Sequence, residues 1–362
     1  MRILDKYILK ELLGPFFFGI AAFSSIFIGT STLFRIAQYV TKYGAPITTV
    51  VKLFVYSLPG IVVLTFPMSM LLAALLSFSR LSSSSEITAM RSGGLSFFRL
   101  TIPVIITAMV VSVAAIALNE KVVPAANASY SYIVRYEIEK QSRPKSQEHI
   151  IVKDVKGSNI ERLTYAQNFM ADTNTMNKVS VQEFENGRLV RVQSAETAQW
   201  AEDRWVMYNG TITDLSTEGK VGRILKFQEQ VMPIEKNPQT ISQEQKKPDE
   251  MTMQELKEQI TVLKQEYVST GKYEVELYQR VAIPMASFVF ALIGTPLGLS
   301  PNRSSSSIGF GLSIIIIFMY YTVLTISGAL GQGGALPPLL AAWLPNIAGT
   351  IAGIYLIYKA SK

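Results

Sequence analysis

Cysteine is absent from all 362 residues. That excludes disulfides, thiolate metal sites and a cysteine nucleophile. Histidine occurs once, at His149; one imidazole cannot build a zinc site alone and there is no H-E-x-x-H, so His149 reads as a surface residue and no metal is expected. The nucleotide loop G-x-x-x-x-G-K-[ST] is also missing. Lys220 and Lys272 each follow a glycine but lack both the hydroxyl residue and the upstream glycine. The most informative scarcity is regional. Of 27 Asp and Glu, only Asp5, Glu11 and Glu86 fall outside 120–276. Segments 1–119 and 279–362 carry thirteen Lys and Arg against those three acids, whereas the middle carries 21 against 24. A polar module therefore interrupts a basic-edged apolar chain. The basic residues punctuate the ends of apolar runs, as membrane anchors do, and no basic, aromatic-rich patch suits nucleic acid.

A membrane span needs about 20 apolar residues to cross about 30 Å of hydrocarbon. Six stretches qualify: Leu12 to Phe34, Leu53 to Phe78, Leu100 to Leu118, Val281 to Leu299, Ile308 to Leu330 and Leu336 to Tyr358. The first follows Arg2, Lys6 and Lys10, is too long for a signal h-region and is expected to remain as an uncleaved span. Prolines 59, 67, 284 and 296 are tolerable where neighbouring helices cover the freed carbonyls. Gly349 and Gly353 form a small-xxx-small pair suited to close helix packing. Orientation follows from the short loops: Arg2, Lys6, Lys10, Arg80, Arg91, Arg99, Arg303, Lys359 and Lys362 lie on one side, and Arg35, Lys42 and Lys52 on the other. The positive-inside bias makes both termini cytoplasmic and 120–278 external. Serine runs 82–85 and 304–307 mark the two cytoplasmic loops.

Between the triplets of spans the pattern turns to short alternating runs. Ile150–Val152, Leu163–Ala166, Val179–Phe184, Leu189–Val192, Trp205–Tyr208 and Ile224–Phe227 read as strands. Asn186-Gly187 between two of them is a strong hairpin signal, because both central residues must tolerate positive φ. The set points to a sandwich, jelly roll or open barrel. Residues 236–250 read as a linker. Thr252 and Glu255 form a capping box opening a helix over 253–269, with Gly271 as its stop. The acids of this domain are scattered as on a solvated β surface, and no catalytic constellation stands out.

An ion-driven carrier usually places ionisable groups inside its bundle or coordinates ions with broken helices; the six expected spans contain no Asp, Glu or His, which leaves such a carrier the weaker, broken-helix route through Pro59, Pro67, Pro284 and Pro296. If ATP is the fuel, another polypeptide must hydrolyse it and dock on a cytoplasmic loop. The loop 80–99 is the candidate, with a short helix opening at Glu86 and stopping at Gly93-Gly94. Glu86 is either a solvated first-turn acid complementing the helix dipole or a docking contact. Arg35 and Lys42, seven apart and on one helical face, either snorkel to headgroups or bind a phosphorylated headgroup. A third possibility is a membrane anchor whose β domain scaffolds partners.

Several fragments resemble the LptF/LptG family of permeases of the lipopolysaccharide-export ABC transporter: Leu4-Asp5-Lys6-Tyr7-Ile8, Phe66-Pro67-Met68, Leu71 to Leu75, Ser85-Glu86-Ile87 through Gly94, Arg280 to Pro284 and Trp343 to Asn346. The resemblance implies a polytopic α-helical protein of the cell inner membrane. Three spans (1–119) would precede an all-β periplasmic domain, a β-jelly roll (120–278), and three more spans would follow (279–362). It implies a transport subunit without cofactor, ATP being used by a partner. Partners would be an LptB-like ATPase, a second permease of the same type (a paralogue or an identical copy) and LptC/LptA-like periplasmic proteins, with lipopolysaccharide as cargo. By the same resemblance Arg35 and Lys42 match lipid-headgroup positions, and Glu86 and Arg91 match the segment that couples to the ATPase.

Overall fold

A computed structural model describes residues 3–139, 146–156, 159–185, 187–216, 221–234, 236–238, 240–241, 246–299 and 306–361. Arg2, Arg303, Lys362, Ser304, Ser305, Asn186 and Lys220 lie outside them. Two compact units emerge: Met1–Glu139 with Pro248–Lys362, and Lys140–Lys247.

The first unit is helical. Ile3–Phe27 (α1), a π-helical turn at Ile28–Thr32 and Leu33–Tyr43 (α2) form one rod of 41 residues. Ile47–Ser83 (α3) follows, then the short helix Glu86–Ser92 (α4). Phe97–Lys121 (α5), Val123–Tyr132 (α6) and a second π-helical turn at Ile133–Ile138 make a rod of 42 residues. After the β insertion come Met253–Gln265 (α7), Gly271–Leu297 (α8), Ser306–Gln332 (α9) and Pro338–Ser361 (α10). Six stretches are long and apolar enough to cross a membrane; the first three contain the expected spans, and the last three cover them to within two residues at one end. The rods overrun those expectations because apolar composition marks only the part facing lipid. At about 1.5 Å per residue, 42 residues reach roughly 63 Å, twice the hydrocarbon thickness.

The helices α3 and α8 form the hub: their most apolar windows are 72% and 67% buried, against 28–39% for the other four spans. Ile8, Leu12, Met70, Phe78, Phe97, Val104 and Leu292 interlock around them. A Cβ added to Gly353 would stand 2.7 Å from Leu292 Cβ, so the small-xxx-small pair does seat α10 against α8.

Three of the prolines inside these helices share one arrangement. A proline at position i lacks the N–H that would bond the carbonyl at i−4. Pro15 frees Glu11 O, which accepts from Ser77 Oγ at 3.0 Å. Pro284 frees Arg280 O, which accepts from Asn119 Nδ2 at 3.2 Å. Pro345 frees Ala341 O, which accepts from Ser327 Oγ at 2.7 Å. These three freed carbonyls are thus satisfied from another helix, tying α1 to α3, α5 to α8 and α9 to α10, as lipid surroundings demand.

Thr252 caps α7 with both bonds of the capping box: Glu255 N to Thr252 Oγ1 at 3.2 Å, and Thr252 N to Glu255 Oε2 at 2.7 Å. The helix ends at Gln265 rather than near 269, and Gly271 begins α8 instead of stopping α7. Its missing side chain has another cause, since a Cβ there would lie 2.9 Å from Gln332 O.

The second unit is an antiparallel sheet of six strands in successive order: Gln147–Lys156 (β1), Asn159–Met170 (β2), Thr175–Glu185 (β3), Arg188–Ala201 (β4), Arg204–Leu215 (β5) and Val221–Val231 (β6). This is the inserted all-β domain, with the strand order of a meander. Glu185 pairs with Arg188 across the expected hairpin, where Gly187 takes φ +77°. Fully buried Trp205 anchors a core with Phe169, Met176 and Met207, closed by Met232, Ile234 and Ile241 after β6. Its Nε1 donates to Lys236 O at 2.9 Å. His149 is half-buried, with Nδ1 2.9 Å from the Tyr165 hydroxyl.

The register lines the charges of this unit into a row. Asp154, Arg162, Glu183, Arg191 and Asp214 face one another on successive strands, and the register continues to Arg223. Arg191 Nε lies 2.7 Å from Asp214 Oδ1, and Arg162 Nη1 3.4 Å from Asp154 Oδ2. The acids and bases alternate, so each directly opposed pair is attractive.

Candidate functional site

The four residues singled out from the sequence divide between the two ends of the helical unit. Contacts between Glu11 and Arg80, between Asp5 and Arg99 (2.7 Å), and between Arg91 and Ala360 place the chain ends and the 84–96 connection at one end, the terminal end. The other, insertion end is where residues 139 and 248 lead to and from the β unit.

At the terminal end Ser85, at φ +60°, turns the chain into α4. Glu86, the first residue of α4, accepts from Tyr7 Oη at 2.6 Å and from Ser84 Oγ at 2.8 Å, one donor per carboxylate oxygen. Those bonds, Tyr7's first, and the nearby Arg80 hold the Glu86 carboxyl below its usual range against a smaller opposing effect of burial. Arg91, exposed at the far end of α4, donates from Nη1 to Ala360 O at 3.4 Å. A cation there suits the negative end of the α10 dipole. The loop helix is therefore fastened to the first rod through Glu86 and to the last helix through Arg91. All three acids of the apolar flanks are engaged at this end, Asp5 and Glu11 in ion pairs and Glu86 in hydrogen bonds.

At the insertion end the three basic residues part company. Lys52 Nζ lies 3.7 Å from Glu137 Oε1. Arg35 and Lys42 are exposed on α2 and have no acidic partner within ion-pair distance among the described residues. The Lys42 ammonium sits 5.1 Å from the centroid of the Tyr43 ring. Arg35 lines a cavity of about 300 Å³ with Ser31, Ser57, Asn127, Ser131 and Asp249. Lys42 is not among its lining residues. The π-helical turn just before α2 carries Thr30 and Ser31, whose hydroxyls donate back to Ile26 O (2.8 Å) and Phe27 O (2.7 Å). Such back-bonding competes with the regular ladder, and π-bulges concentrate at functional sites.

Sequence reasoning missed the buried ionic cluster beside this cavity. Glu250, 4% exposed, is 2.9 Å from Arg135. Arg280, 5% exposed, donates from Nη2 to Pro248 O at 2.7 Å, and its Nε lies 3.7 Å from Glu276. Asn127 Nδ2 donates to Asp249 O at 3.0 Å, and Glu120 accepts from Met253 N at 3.0 Å. Together they staple 248–253 onto α5, α6, the turn after α6 and α8. A second cavity of about 230 Å³ shares Gly60, Leu64, Asn127 and Asp249 with the first. The available signal was the pair of Pro248 and the acids behind it, which gives no hint of a partner more than a hundred residues away.

Comparison with known proteins agrees with this architecture along the whole chain. Residues 6–359 match the family model described as lipopolysaccharide export system permease LptF/LptG. The lipopolysaccharide export system permease protein LptG of Escherichia coli (strain K12) is 23% identical over 372 aligned positions, covering 99% of each chain. The protein of the same name from Haemophilus influenzae is 19% identical over 358, covering 96% of each. With six apolar helices arranged three and three around an inserted β sheet, the chain is a multi-pass membrane protein that belongs to the LptF/LptG permease family.

Proposed function

We propose that this chain is the permease subunit of an ATP-driven exporter that extracts lipopolysaccharide, or a related glycolipid, from the inner membrane. The family match over residues 6–359 carries the reading. In it the terminal end is cytoplasmic, the β unit is periplasmic, and a periplasmic β bridge of the LptC/LptA kind receives the lipid. A second permease, paralogous or identical, completes the membrane cavity. The chain itself binds no cofactor and hydrolyses nothing.

The energetics call for such an arrangement. Each methylene of an acyl chain exposed to water costs about 0.8 kcal/mol, so a lipid with several chains leaves the bilayer only with work supplied. An LptB-like ATPase docks on α4 in this reading. The attachments of α4 suit that role: displacing it pulls on the first rod through Tyr7–Glu86 and on α10 through Arg91–Ala360. Arg35 and Lys42, cations on a single helix face with no acid partner among the described residues, suit the phosphates of the cargo.

The test is reconstitution of the full chain with its ATPase and second permease in vesicles. Glu86→Ala is expected to leave membrane insertion intact and to reduce the ATPase that copurifies. Transport driven by an ion gradient with no ATPase present would overturn the reading.

A further inference from the structure

The cavity beside Arg35 is more than a patch of positive charge. Arg35 and Ser131 offer it donors, and neither is engaged in a hydrogen bond or ion pair among the described residues. Ser31 and Ser57 already donate to Phe27 O and Phe54 O, both at 2.7 Å, and so present acceptor lone pairs to a ligand. The Asp249 carboxylate is exposed and has no partner among the described residues; only its backbone carbonyl is held, by Asn127. At about 300 Å³ the space stands at the lower end of ligand pockets, which run from about 300 to 1,000 Å³.

Donors and acceptors lining one cavity select a particular chemistry. A bare phosphate is an anion and mainly an acceptor, so it would use Arg35 and be repelled by Asp249. A ring of hydroxyl groups both donates and accepts. Carried next to a phosphate, it could place the phosphate on the Arg35 fork and its hydroxyls on Asp249, Asn127 and Ser131. We infer that this cleft is a subsite for the sugar ring of a phosphorylated glycolipid, with Asp249 the residue that requires a hydroxylated headgroup. The inference rests on the glycolipid cargo proposed above and adds to it a means of rejecting ordinary phospholipids. Those phospholipids bring phosphate to the same arginine and would otherwise compete in large excess.

The test uses the full chain in nanodiscs and native mass spectrometry, with three probes: a phosphorylated glucosyl lipid, phosphatidic acid and an unphosphorylated glucosyl diacylglycerol. Asp249→Asn is nearly isosteric and leaves the backbone carbonyl that Asn127 holds. It is expected to weaken the phosphorylated glucosyl lipid about tenfold, as for one lost hydrogen bond to a charged group, and to leave phosphatidic acid unchanged or slightly tighter. Arg35→Gln is expected to weaken both phosphorylated probes. If Asp249→Asn strengthens both phosphorylated lipids equally, the carboxylate merely repels anions and the subsite falls while the cargo reading stands. If the wild-type chain prefers neither phosphorylated lipid over the unphosphorylated one, the headgroup role of Arg35 and the subsite fall together.

Discussion

The helical unit and the β unit handle charge in opposite ways. In the helical unit, acids and bases lie outside the apolar spans, and several lock one helix to another: Asp5 to Arg99, Glu11 to Arg80, Arg135 to Glu250. In the β unit they run as an alternating row across one end of the strands, from Asp154 through Glu183 to Asp214. The backbone differs in parallel. Helices satisfy their own carbonyls, and three that prolines release are met by Ser77, Asn119 and Ser327 from other helices. Strands satisfy theirs only through neighbours. The contrast reflects the solvent each unit faces. Hydrocarbon forbids an unpaired polar group along the middle of a rod, whereas water lets charges line a sheet and there they fix its register.

If the difference is real, the same kind of change should cost unequal amounts in the two units. The largest expected effect is at the buried end of the helical unit. Glu250→Ala leaves Arg135, whose side chain is 20% exposed, without its carboxylate in a closed site. Breaking a buried pair by removing one partner costs about 3–5 kcal/mol. Thermal unfolding of the detergent-solubilised chain, followed by size exclusion, should show a clear drop in midpoint. A change of under 1 kcal/mol would mean that water reaches this cluster and that the two units do not differ as argued.

A smaller effect is expected in the row of the β unit. Glu183→Lys places a cation between Arg162 and Arg191, turning two attractive oppositions into repulsive ones. Each such pair contributes roughly 0.2–1 kcal/mol, and these side chains keep partial contact with water, which screens them. Hydrogen exchange on the intact chain should show faster exchange in β2, β3 and β4 with α3 and α8 unchanged. Glu183→Gln should fall between wild type and lysine. Equal loss of protection in the helical unit would contradict the separation into two compact units.

The two units were not equally legible. Spans showed themselves because an unbroken apolar run of about 20 residues is longer than a buried core helix needs and matches the thickness of a bilayer. The strands showed themselves through their period of two. Rod ends were hidden, since helix continues past the apolar stretch once polar residues suit the surroundings. The charge row was hidden by its spacing in the chain. Arg162 and Glu183 are 21 residues apart, and only the register brings them face to face. The carbonyl caps combine both cases: Pro284 is plain in the chain, but its cap Asn119 lies 161 residues before Arg280, the residue it satisfies. At the candidate site, Arg35 was visible as a cation on the minority side, and Glu86 as a lone acid between two spans. Asp249, which shares the cavity with Arg35, read as part of a linker.

The smallest effect sharpens the comparison at the terminal end, where a charge is held by neutral donors. Glu86 is only partly buried, and its carboxyl lies below its usual value of 4.5, chiefly through the Tyr7 hydroxyl, then Ser84, with Arg80 adding a minor attraction. A depressed pKa in the folded state stabilises that state above the ordinary value, and the gain is lost as pH falls through the lowered one. Tyr7→Phe removes the largest of these influences and keeps the ring, so the Glu86 titration should move up towards 4.5. On the docking proposed for α4, wild type and variant should then bind an LptB-like ATPase alike near neutrality and diverge on the acid side, the variant releasing it at the higher pH. The same experiment on Glu86→Gln should abolish the difference that the tyrosine makes. Should Tyr7→Phe shift the acid limb even in the Glu86→Gln background, the tyrosine acts through packing of α1 and not through the carboxylate.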